Sequence, residues 1–247
     1  MLTLSTPPGR RFAAHHPWDR NALALMLALI WLAILLGFGR NIARRGFNFP
    51  LVVYFHVAAV VGWMILFTVQ TLLIRMQQQA LHRKLGLFGL ALAIAIVVLG
   101  VWSGIAVQSI GPGGPHNNPP YLSVNFTSMV VFAGLVGAAL VLRCDGAAHK
   151  RLMLLALINL SHEAFVRLLG ARIYLFFGYN PFGFWALVYL VSTLLVLSIG
   201  AYDLFTRRRL LPTYVWGSLF SVVLQVASIA IYFSPGWHAL ALQMVGR

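Results

Sequence analysis

Acidic residues are nearly missing from this chain: 4 aspartates and glutamates stand against 18 lysines and arginines in 247 residues. Charged residues of both signs make up only 9% of it, where a soluble domain carries about a quarter. Cysteine is reduced to Cys144, which excludes an internal disulfide and any cysteine-rich metal or iron–sulfur motif. Redox chemistry, if present, must then use another ligand type. Nucleophile elbow, phosphate loop and paired carboxylates are absent, and His162-Glu163 lacks the second histidine of a zinc-protease helix. Hydrolytic chemistry is therefore poorly supported. The net charge of +14 does not point to nucleic acid, because the basic residues fall in short clusters between apolar runs rather than along a phosphate-tracking surface.

Apolar residues are what the chain has in excess, at 60% with a mean hydropathy of +0.85. A membrane-crossing helix needs roughly 20 such residues in sequence. Seven stretches qualify, at about 21–38, 50–74, 84–107, 121–142, 149–169, 182–204 and 213–234. They predict an all-α polytopic bundle forming one transmembrane domain, since only helices satisfy their own backbones over such runs. The first stretch follows a basic tail and lacks a small-residue cleavage site, so it reads as a retained span. Twelve basic residues collect on one side: Arg10, Arg11, Arg20, Arg75, Arg83, Lys84, Arg143, Lys150, Arg151, Arg207, Arg208 and Arg209. Six collect on the other: Arg40, Arg44, Arg45, Arg167, Arg172 and Arg247. The asymmetry predicts an N-terminus inside and a C-terminus outside, in a bacterial cytoplasmic membrane, although the Arg40/Arg44/Arg45 cluster runs against it. The Gly/Pro-rich loop at 111–120 reads as a connector, with a lid as the alternative.

Two short motifs recur. Leu-His-Arg-Lys-Leu-Gly at 81–86 and Ala-His-Lys-Arg-Leu-Met at 148–153 each open an apolar run, and each follows a span ending in arginine. This pattern is consistent with a duplicated helical hairpin covering 50–107 and 121–169. Topology forces the cations but not the shared histidine.

Polar side chains within spans are the default functional candidates, because each costs free energy unless it faces a helix, a cavity or a ligand. His56, Trp63 and Gln70 recur every seven residues on one helix face. Asn159, His162, Glu163 and Arg167 define a face of another, with Glu163 and Arg167 in the favourable i,i+4 order. Ser218, Ser221, Gln225 and Ser228 read as helix–helix glue. At 1.5 Å per residue, His56 and His162 lie about 9–10 Å from the outer ends of their spans. His82 and His149 share a level at the inner ends of theirs. Two histidines from different helices at one depth suit a haem or a transition metal, and for His56 with His162 a metal ion is the alternative to haem. The competing reading puts His82 and His149 among lipid headgroups. His15, His16, His116 and His238 read as surface histidines, although the loop carrying His116 enters the next helix near Asn125 on the side of His56.

His-x-x-Leu-Gly, with a second histidine opening a later helix, resembles the transmembrane b-type cytochromes. The pattern is also similar to that of poorly characterised bacterial membrane proteins in the style of cytochrome oxidase assembly factors. The likeness covers roughly residues 50–170. It implies haem b held by His82 and His149, and a place in a respiratory or redox membrane complex; on a haem reading Arg83, Lys84, Lys150 and Arg151 stand near propionates or anionic lipids. A second haem would take His56, but the fourth span has Asn125 where a histidine is expected, and His162 comes from the fifth. A metal ion, or a quinone headgroup held by His56, Glu163 and Arg167, needs less room. Three functions follow: a haem- or metal-binding electron-transfer protein, a small-solute or proton-coupled transporter or channel, and a non-catalytic assembly factor.

Overall fold

The structure, a computed structural model, describes residues 12, 16–46, 48–110 and 118–247. Arg10, Arg11, His15 and His116, with most of the 111–120 loop, lie outside the described residues. The described residues form helices joined by short turns, with no strand among them. In chain order they are α1 (Asp19–Arg45), α2 (Leu51–Arg75), α3 (Gln79–Gln108), α4 (Leu122–Val141), α5 (Gly146–Leu160), α6 (His162–Phe177), α7 (Pro181–Arg207), α8 (Pro212–Tyr232) and α9 (Pro235–Met244). A single 3-10 turn, Pro119–Tyr121, leads into α4. Six helices are long and apolar enough to cross a membrane, and the bent pair α5–α6 makes a seventh. This is the architecture of a multi-pass membrane protein.

Local chemistry sets the helix ends. Asp145 accepts from the backbone N–H groups of Ala147 and Ala148 at the start of α5, and Asn180 and Ser234 cap α7 and α9 in the same way. Prolines occupy the first turns of α7, α8 and α9, where a missing N–H costs nothing. Gly46 and Gly178, both at φ 72°, end α1 and α6 in a conformation that disfavours other residues. The two units of the expected repeat each fold as a packed hairpin, α2 on α3 and α4 on α5.

The fifth span departs from expectation. A single helix over 149–169 is anticipated, but the chain bends by 47° at Ser161 and continues to Phe177. No proline is involved. The Ser161 hydroxyl donates to the Ile158 carbonyl at 2.8 Å, and the His162 ring donates through Nδ1 to the Asn159 carbonyl at 2.7 Å. Side chains thus take carbonyls that an unbroken helix gives to its own amides, a recognised cause of bending. The second departure is α9, which turns back against the 3-10 turn, where Trp237 Nε1 donates to the Pro120 carbonyl at 2.8 Å.

Candidate functional sites at two levels of the bundle

The two histidine levels differ in what surrounds them. At the level where α3 and α5 begin, the His82 and His149 rings meet edge to face, with centres 6.3 Å apart. His149 Nδ1 lies 2.8 Å from the Ala139 carbonyl. A carbonyl only accepts, so Nδ1 carries the proton and the neutral ring keeps its lone pair on Nε2. The carbonyl–histidine arrangement is one that orients metal-ligating imidazoles. His82 is placed by Gln70, whose side-chain amide donates to the His82 carbonyl at 3.1 Å, and its Nδ1 is buried without a hydrogen-bond partner. His82 Nδ1 and His149 Nε2 thus carry no hydrogen bond, and these two imidazoles are the residues that would hold a haem or a metal ion at this level. No cluster of three or more His, Cys, Asp or Glu suited to a metal ion occurs among the described residues.

The cations around this pair divide differently from expectation. Arg151, 3% exposed, is held bidentate by Asp203 at 2.6 and 2.5 Å, and Lys150 pairs with Asp19 at 2.6 Å. Asp19 also accepts from Arg207 at 2.7 and 2.8 Å and from Tyr202 at 2.8 Å. Both cations of the second motif are thus engaged with acids, whereas Arg83 and Lys84 of the first motif are exposed. The network escaped sequence reasoning because Asp19 lies 131 residues from Lys150 and 188 from Arg207.

Toward the other end of the bundle lies a cavity of about 1270 Å³, walled by α1, α2, α3, α4, α5 and α6. His56, Asn125, His162, Glu163 and Arg167 all line it, which brings together five of the expected residues. Glycines make the room: a Cβ on Gly100 would come within 3.2 Å of His56 Cε1, and one on Gly104 within 2.9 Å of Asn125 Nδ2. Glu163 accepts from Tyr121 at 2.7 Å and pairs with Arg167. Arg167 also lies over the Phe38 ring, 4.5 Å from its centre. His162 stands against Tyr189, with Nε2 3.5 Å from Glu163, too far for a firm hydrogen bond. His56 Nδ1, His162 Nε2 and Arg167 Nε are buried here without hydrogen-bond partners. Because α6 runs to Phe177, depth counted from residue 169 no longer describes His162. The shared cavity wall, not an equal depth, is what relates it to His56.

Other expected residues have structural work. Asn159 turns from the cavity cluster to Ser221 of α8, 3.3 Å away. Trp63 packs edge to face on Phe132. The serine stripe holds α8 to its neighbours, Gln225 accepting from Thr193 at 3.3 Å and Ser228 bonding Tyr189 at 2.9 Å. His238 is exposed on α9. Comparison with protein-family models, characterised proteins and solved structures yields no match.

Proposed function

We propose that this protein is a membrane redox component that binds haem through His82 and His149. The observation carrying the reading is the placement of these two rings, 67 positions apart in sequence, at a centre-to-centre distance of 6.3 Å. The resemblance to transmembrane b-type cytochromes supports the same pair. Haem supplies one-electron chemistry when bound. The chain's own part is to fix the two imidazoles: the Ala139 carbonyl holds His149 in one tautomer, and Gln70 pins the backbone at His82. Arg83 and Lys84, on the first turns of α3, supply positive charge beside the pair. Residence in a bacterial cytoplasmic membrane, within a larger respiratory complex, belongs to this proposal.

Protein purified from haem-replete cells is expected to show a Soret band. His82→Ala and His149→Ala should each weaken it strongly, while His238→Ala leaves it unchanged. A colourless, metal-free preparation overturns the reading and leaves transport, which the broken span beside the cavity favours.

A further inference from the structure

The large cavity is independent of the haem reading, and its shape says how a ligand reaches it. Near the basic end of the bundle α1 and α2 are tied together, with Trp31 Nε1 donating to Thr68 at 3.1 Å and Arg75 donating to the Arg20 carbonyl. Toward the other end α1 packs on α6, where Gly37 lies against the Ala164 backbone and Phe38 lies beneath Arg167. The cavity is lined by both helices, by Ile34, Leu35 and Phe38 of α1 and by Val57, Val60 and Val61 of α2. Its rim includes Leu35 and Ile42 of α1 and Val61 of α2, all exposed on the outside of the bundle. Leu35 and Val61 each stand ten residues from that end of their helices, about 15 Å at 1.5 Å per residue. Half the thickness of a hydrocarbon core is about 15 Å, so the mouth opens sideways into lipid.

The polar lining has one sign of charge to spare. Arg40, Arg167 and Arg172 line the cavity with a single acid, Glu163, which is paired with Arg167 and bonded to Tyr121, while Arg40 and Arg172 are exposed. Two exposed cations beside a largely apolar cavity call for an anionic head on an apolar tail. Three guanidinium groups and two histidines offer more donors than the two oxygens of a carboxylate accept, whereas a phosphate presents three or more strong acceptors. The buried, unpartnered His56 Nδ1, His162 Nε2 and Arg167 Nε are the atoms such a head would leave satisfied or shield. The volume of about 1270 Å³ exceeds that of an ordinary small-ligand pocket, about 300–1,000 Å³, and accommodates a head with the first part of a chain. We propose that the cleft between α1 and α2 binds a phosphate-headed membrane lipid that enters sideways from the bilayer.

The test uses the full chain in dodecyl maltoside micelles, titrated separately with phosphatidic acid, phosphatidylcholine and inorganic phosphate while thermal unfolding is followed. Phosphatidic acid is expected to raise Tm saturably, with little effect from the other two. Arg40→Gln with Arg172→Gln should weaken the apparent affinity about tenfold or more, since both forks are lost from the phosphate. Val61→Trp, which plugs the mouth without changing charge, should weaken it as well. An equal shift in all three proteins means attraction to the general surface and overturns the proposal. An equal response to inorganic phosphate means a free-anion site and overturns the lipid assignment, and no response to any of the three rejects the site altogether.

Discussion

Each of the four acidic side chains has a structural assignment. Asp145 caps α5, Asp19 joins α1 to Lys150 and Arg207, Asp203 neutralises Arg151, and Glu163 anchors the cavity wall. In a chain this short of acids, a buried cation has few partners to choose from. Arg151 and Asp203 are both almost fully buried, so Asp203→Asn is expected to destabilise the protein by about 3–5 kcal/mol, because it leaves a guanidinium without its counter-charge. The paired change Arg151→Met with Asp203→Leu should recover much of that loss. Thermal or denaturant unfolding in detergent measures both. Asp145→Ala, which removes only a cap, should cost about 1 kcal/mol in the same assay. The sequence made the rarity of acids plain but not these pairings, since ion pairs bridging distant helices leave no local pattern.

At the scale of helices, the long apolar spans were legible because a bilayer demands about 20 apolar residues in sequence. The break at Ser161 was less so. Asn159, Ser161 and His162 are all polar, and that cluster was the available signal, but its effect depended on which carbonyls the side chains reached. The cap and proline of α9, Ser234 and Pro235, were equally visible, yet the helix is short and held by tertiary contact with Pro120. Packing of α1 on α6 rests on Gly37, where any side chain would collide with the Ala164 backbone. Gly37→Leu should therefore push α1 from α6 and lower stability by about 1–3 kcal/mol, the usual cost of overpacking. Gly39→Leu, two residues on and with open space around it, is the control and should change little in the same unfolding measurement.

For the whole molecule, the alternation of spans puts the starts of α1, α3, α5 and α8 on one face and the starts of α2, α4 and α7 on the other. The positive-inside rule predicts that the first face is cytoplasmic. Cys144, the one cysteine and an exposed one, lies on that face between α4 and α5. A membrane-impermeant maleimide should leave it unlabelled in intact cells and label it in inverted vesicles. In a Cys144→Ser background, Ser109→Cys, on the opposite face, should show the reverse. Labelling of Cys144 from outside would invert the topology.

Composition alone determined that this chain is a helical membrane bundle, because excess apolar length admits no other backbone solution in lipid. Position within a span selected His56 and His162, because a polar ring there requires a reason, and a recurring motif selected His82 and His149. Which of them meet was decided only by the tertiary structure. Gln70 and Ala139 hold His82 and His149 where their rings meet at one end, while at the other the α5–α6 pair, bent by 47°, and α1 packed on α6 wall a cavity that holds His56 and His162. Those outcomes depend on contacts between helices far apart in sequence, and hydrophobic periodicity within a single helix carries no record of them.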